Sequence, residues 1–145
     1  ILHKRYDLLR MLLWIESIDL KEKCDNNFHT IVYLFDYANP DIEKKAEQAA
    51  ISKVLVDLKY KYGDRILLIP IADNLGIESV NLIKQKFKIK DVPVIIIDEK
   101  TIIIELPTFE SLEKIVFQQK IGRDSISENE EGKILKSPNL NMFNI

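Results

Sequence analysis

The sequence has little of what most enzymatic chemistry requires. Its 145 residues include one cysteine, Cys24, and two histidines, His3 and His29. A single cysteine excludes an internal disulfide and a cysteine-rich zinc site. So few histidines also argue against metal catalysis and against a serine triad. We therefore expect no metal ion and no cofactor.

Glycine and net charge are scarce as well. None of the four glycines lies at a predicted strand-to-helix turn, so we expect no phosphate-binding glycine-rich loop. A formal net charge of -2 lacks the attraction that non-specific nucleic-acid binding needs, and we expect no nucleic-acid partner. What remains, 46% hydrophobic and 30% charged residues, is typical of a folded domain with its own core.

Residues 1–27 predict an N-terminal amphipathic helix followed by a linker. Apolar side chains recur at helical spacing and form one stripe: Leu2, Tyr6, Leu9 and Leu13, widened by Leu8, Leu12 and Ile15. We expect this stripe to pack on the rest of the domain. The alternative is that residues 1–15 lie on an anionic membrane surface. The protein would then be membrane-tethered or exported, provided that a spanning segment precedes Ile1.

Residues 28–120 predict alternating strands and helices. The predicted strands are 30–37, 65–72, 92–97 and 101–105, and the predicted helices are 39–63, 75–87 and 109–120. This order indicates a β-α-β crossover followed by an antiparallel hairpin in the same sheet. The fold class is therefore α/β, a four-stranded mixed sheet flanked by helices, with an extra N-terminal helix. Pro70 cannot donate a ladder hydrogen bond, which indicates either an edge strand or a bulge.

The last part of the chain differs in composition. Residues 121–145 are rich in serine, asparagine and acidic residues and show neither helical nor strand periodicity. We interpret them as a polar C-terminal tail, in which residues 133–135 or 142–143 are candidates for a short docking segment.

Two segments of the predicted domain resemble landmarks of the thioredoxin superfamily. The stretch IVYLFDYANPDI, residues 31–42, is similar to the strand-to-helix stretch that carries Cys-Pro-x-Cys in redox-active members. The stretch FKIKDVPVII, residues 87–96, resembles the loop in which that family has a cis-proline before the hairpin. The resemblance covers about residues 28–120 and implies a thioredoxin-like fold.

The resemblance also shows what this chain has lost. Where redox members have their two cysteines, this sequence has Asn39 and Ile42, in the motif Asn-Pro-Asp-Ile. Disulfide exchange needs a thiolate at the helix N-terminus, which neither residue supplies. We interpret Asn39 as a helix cap and Cys24, far away in sequence, as inert. We therefore expect no thiol-disulfide oxidoreductase activity and assign no catalytic residue.

The favoured hypothesis is a non-catalytic binding module for a protein or an extended peptide. The candidate binding residues face one cleft from two loops and are Tyr37, Ala38, Asn39, Pro40 and Asp41, with Val92 and Pro93 opposite. The resemblance implies that a cis bond before Pro93 leaves the backbone of Val92 free to pair with an extended peptide. Two alternatives stay open, a membrane-tethered structural domain and an enzyme of another class that uses Asp36 and Asp41.

Overall fold

The computed structural model of the chain describes residues 2–24, 28–118 and 134–136. Its helices are α1 (Leu2–Lys23), α2 (Ile42–Tyr62), α3 (Glu78–Lys86) and α4 (Phe109–Gln118). Its strands are β1 (His29–Phe35), β2 (Ile66–Ala72), β3 (Val94–Ile97), β4 (Thr101–Ile103) and β5 (Ile134–Lys136). A short 3₁₀ turn, Gly63–Arg65, joins α2 to β2.

The strands form one mixed sheet in the order β2-β1-β3-β4-β5. β1 pairs in parallel with β2, whereas β3, β4 and β5 each pair antiparallel with the preceding strand in that order. The first four strands are the predicted mixed sheet, and β2, which contains Pro70, lies at an edge, one of the two predicted alternatives. The fifth strand is an addition, because Ile134–Lys136 belongs to the segment predicted as a polar tail.

Apolar side chains cover both faces of the sheet. On one face, Met11 and Trp14 of α1 and Val80 and Ile83 of α3 pack against Val32 and its neighbours. The other face carries residues of α2 and α4: Ile51, Leu55, Leu58, Leu112 and Val116. Strands buried on both sides explain why β1 is rich in β-branched and aromatic residues and why β3 is wholly β-branched.

Helix α1 presents a different face to the sheet from the one predicted. The apolar stripe expected to pack inward is exposed along its whole length. The side chains that are buried instead are Asp7, Met11, Trp14, Ser17 and Lys21. Three of these five are polar, so hydrophobic periodicity alone selects the wrong face of this helix.

The boundaries of the other helices are set by local chemistry. Gly63, with a φ of 54°, ends α2, and Thr108 Oγ1 accepts a hydrogen bond from Ser111 N at the start of α4. Helix α3 begins at Glu78 and not at 75. Gly76, predicted inside that helix, has a φ of 70° and lies in the connection from β2 to α3.

Some of the predicted segments lie on residues that the structure does not describe. Residues 25–27 of the linker, and residues 119–133 and 137–145 of the last helix and tail, lie outside the described residues. Among the described residues, no helix combines the length and the apolar character that crossing a bilayer requires.

Candidate functional site

The loop that follows β1 carries five of the candidate binding residues. Asn74, beyond the end of β2, holds this loop because its Oδ1 accepts hydrogen bonds from Tyr37 N at 3.0 Å and Ala38 N at 3.1 Å. Its Nδ2 donates to Asp36 Oδ1. The loop is therefore fixed by a side chain from the connection that follows the neighbouring parallel strand, while Tyr37 and Ala38 remain exposed.

Asp41, and not Asn39, caps helix α2. The Oδ1 atom of Asp41 accepts a hydrogen bond of 2.8 Å from Lys44 N, and its backbone is extended, as an N-cap requires. The predicted capping role of Asn39 is therefore wrong, and Asn39 is an exposed residue ahead of the helix. The helix begins at Ile42, whose side chain is 87% exposed.

The Val92–Pro93 wall of the predicted cleft is buried. The peptide bond between these residues is cis, and both side chains are inaccessible. Val92 N donates a hydrogen bond of 2.8 Å to Asp91 Oδ1. The expectation that the backbone of Val92 is left unpaired is therefore wrong for its N–H group.

A lysine joins the two walls. Lys44 Nζ, in the first turn of α2, lies 3.1 Å from Asp91 Oδ1 and 3.9 Å from Asp36 Oδ2. The hydrogen bond from Lys44 lowers the pKa of Asp91, and the same contact raises the pKa of Lys44. The predicted cleft between the two loops is thus bridged by a charged pair.

An open apolar pocket lies on the other side of the Tyr37–Asp41 loop. Its volume is about 420 Å³, and it is formed between α2 and strands β1 and β2. Most lining side chains are apolar: Tyr33, Phe35, Tyr37, Pro40, Ala49, Leu55, Val56, Leu68 and Pro70. A volume of this size accommodates a small molecule or one or two large side chains.

Gln48 organises the polar groups at the edge of this pocket. Its Oε1 accepts a hydrogen bond of 2.7 Å from Asp36 N, and its Nε2 donates one of 3.1 Å to Asp36 O. Tyr33 Oη donates to the backbone oxygen of Gln48 at 3.2 Å, and burial raises the pKa of Tyr33. The sequence analysis did not identify Gln48. The pattern that could have indicated it is a polar amide residue among the alanines of a helix that packs on the sheet.

The first turn of α1 reaches the same loop. The hydroxyl of Tyr37 lies 2.6 Å from His3 Nε2, and the two ring centroids are 4.5 Å apart. Cys24 lies just past the opposite end of this helix, and at 1.5 Å per residue that end is about 30 Å away. Cys24 is exposed and far from Asn39, so it does not supply a thiol at the start of α2.

A second polar cluster, not foreseen from the sequence, attaches α1 to the β3–β4 turn. Lys21 Nζ lies 2.6 Å from Thr30 Oγ1 and 2.8 Å from Asp98 Oδ1, and Trp14 Nε1 donates to Glu99 Oε1 at 2.8 Å. Asp98 and Glu99 have φ values of 50° and 59°, a conformation that non-glycine residues rarely adopt. The cluster holds the turn in this conformation.

The ionisation of Asp98 reflects its partners. Burial is the largest influence and by itself raises the pKa of this carboxyl. The hydrogen bond with His29, whose Nδ1 lies 2.6 Å away, and the charge of Lys21 outweigh burial and hold the pKa below its ordinary value. These contacts are those of a structural anchor that keeps its carboxylate charged.

The described residues contain neither a cluster suited to a metal ion nor the predicted pair of carboxylates in one pocket. Within residues 2–24, 28–118 and 134–136 there is no group of three or more His, Cys, Asp and Glu side chains able to hold a metal ion. Asp36 lines the pocket and is held by Asn74, whereas Asp41 is engaged as a helix cap and is not among the lining residues. The predicted pair therefore does not converge on this pocket.

No protein-family model matches this sequence, and no curated protein matches it significantly.

Proposed function

We propose that this chain is a non-catalytic, thioredoxin-like binding module that takes up an apolar segment of a partner protein. The observation that carries the proposal is the pocket of about 420 Å³ beside the Tyr37–Asp41 loop. This loop corresponds, in the resemblance stated above, to the segment from which redox members contact their substrates. The chain would thus use a related surface for contact without electron transfer.

The thioredoxin-like assignment has support from topology. The sheet order β2-β1-β3-β4, with β1 and β2 parallel and a hairpin of β3 and β4, is compatible with that fold. In the resemblance, Asn39 just before α2 and Ile42 at its first position stand where redox members have their cysteines. With no thiol at these positions, a mixed disulfide with substrate has no atom from which to form.

The pocket suits an extended apolar peptide better than a charged ligand. Its lining is mainly aromatic and aliphatic, and its two charged residues are Asp36, which is hydrogen-bonded to Asn74, and the exposed Lys45. Pro40 and Tyr37 stand at its rim and join it to the exposed part of the loop. An apolar side chain of a bound peptide would enter the pocket while its backbone lies along the loop.

The proposal is tested by filling the pocket with a larger side chain and measuring the affinity for an apolar peptide. Ala49 on α2 is exposed and lines the pocket, so Ala49→Phe places a ring in that space without disturbing the core. The probes are fluorescein-labelled hexapeptides rich in leucine, valine and phenylalanine, measured by anisotropy. We expect Ala49→Phe to weaken binding at least about tenfold, equivalent to about 1.4 kcal/mol.

The matched control is Ala46→Phe on the same helix. Ala46 is also exposed but does not line the pocket, so this variant adds the same apolar surface elsewhere and should bind like the wild type. Equal affinities for both variants, or no binding of these peptides to the wild-type protein, would contradict the proposal.

A further inference from the structure

Helix α1 turns a row of large apolar side chains toward solvent. Leu2, Tyr6, Leu9, Leu13 and Leu20 lie on the side away from the sheet, with between 47% and 62% of each side chain exposed. Soluble monomers rarely present a contiguous apolar surface of this kind without a partner that covers it. We call these five residues, together with Glu16, the α1 seam.

The spacing of the α1 seam is that of a coiled coil. Positions 2, 6, 9, 13, 16 and 20 alternate steps of four and three residues, which is the a/d pattern of a heptad repeat. Glu16 is the one polar member. At 1.5 Å per residue, the 22-residue helix offers a contact length of about 33 Å.

We propose that the α1 seam is a self-association surface, on which a second copy of this chain packs its own α1 in the antiparallel direction. In that arrangement Leu9 faces Leu13 of the second copy and Leu2 faces Leu20. The remaining layer pairs Tyr6 with Glu16, so that the tyrosine hydroxyl can donate a hydrogen bond to the single carboxylate of the seam.

The charges beside the seam favour the antiparallel direction. Arg5 and Asp19 flank opposite ends of the seam on the same side. Antiparallel packing therefore brings each Arg5 close to Asp19 of the second copy, where it joins the exposed pair of Asp19 with Lys23. Arg10 would approach its own counterpart, but Asp7 Oδ1 lies 3.3 Å from its guanidinium and compensates its charge. Parallel packing would instead place Glu16 against Glu16 in the apolar layer.

The extent of the surface and its charges favour a second copy over a bilayer. Leu12 flanks the seam and is also about half exposed. Two copies together would bury on the order of 1,000 Å², which reaches the lower limit for a specific protein interface. A helix that lies on an anionic membrane carries basic residues along its polar flanks. Here the second half of the exposed face is mixed in charge, with Glu16 and with Asp19 paired to Lys23.

The first test is the association state in sedimentation-velocity runs over a concentration series. We expect a reversible dimer for the wild-type protein, and Leu9→Glu should raise its dissociation constant at least about tenfold. Leu8→Glu is the matched control, because Leu8 is similarly exposed on the same helix but lies off the seam. A wild-type protein that stays monomeric at all concentrations, or equal effects of the two variants, would overturn the proposal.

A charge exchange tests the antiparallel direction. Arg5→Glu alone and Asp19→Arg alone should each weaken the dimer, because each places like charges together. The double variant restores an opposite-charge pair and should recover most of the wild-type affinity. A double variant as weak as the sum of the single ones would overturn the antiparallel arrangement.

The membrane alternative has its own readout. If α1 lies on a bilayer, the monomeric protein will float with vesicles of phosphatidylcholine and phosphatidylserine, and Leu8→Glu and Leu9→Glu will both reduce flotation. That outcome overturns the dimer proposal. It leaves the peptide-binding proposal unaffected, because the pocket is formed by α2, β1 and β2 and not by the seam.

Discussion

At the scale of single residues, Asp7 shows how a carboxylate is accommodated inside this protein. It lies on the buried face of α1, where its Oδ2 accepts a hydrogen bond of 3.2 Å from Ala72 N at the end of β2. Burial raises the pKa of Asp7, and the contacts with Ala72 and Arg10 offset this only in part. The hydrogen bond from Ala72 N offsets part of the cost of burying the Asp7 carboxylate, but ionisation of Asp7 does not stabilise the fold.

Replacement of Asp7 by Asn should remove one contribution to stability that falls as pH rises. A carboxyl whose pKa is raised by folding stabilises the fold fully below the unfolded value of 3.8, and this contribution is lost as pH rises through the folded pKa. The free energy of unfolding of Asp7→Asn, measured in urea, should therefore rise relative to wild type between pH 3.5 and pH 7. A constant difference, or one of the opposite sign, would contradict this explanation.

At the scale of elements, α1 marks the limit of sequence reasoning. The length and apolar spacing of the segment predict the helix, but its inward face is determined by partners distant in sequence. Asp7 meets β2, and Lys21 meets the β3–β4 turn 77 residues away. Hydrophobic periodicity cannot predict such contacts, because it assigns every polar residue of a helix to the solvent-exposed face.

The polar cluster around Lys21 should be the attachment on which α1 depends. Lys21→Met removes the positive charge between Asp98 and Glu99 and leaves two partly buried carboxylates in a turn of unfavourable backbone conformation. We expect a loss of about 3 kcal/mol in the free energy of unfolding, measured in urea. Lys23→Met is the matched control, since Lys23 contacts Asp19 in an exposed pair, and it should change little. Similar losses in both variants would argue against the anchor.

At the scale of the whole molecule, local patterns predict the order of strands and helices and four of the five strands. Caps and turns within a few residues, such as Thr108 and Gly63, are predictable for the same reason. The candidate site is predictable only in part. The loop at Tyr37 follows from the end of β1, but the link from Lys44 to Asp91 spans 47 residues. The pocket depends on the distance between α2 and the sheet edge, which no local pattern encodes.

The most direct test of the central claim is a map of amide chemical-shift changes as the wild-type protein is titrated with an unlabelled peptide from the set above. We expect chemical-shift changes confined to residues 37–41 and to the pocket-lining positions of α2 and β2, such as Ser52 and Leu68. Saturation without changes at these positions, or changes centred on another face of the sheet, would contradict it.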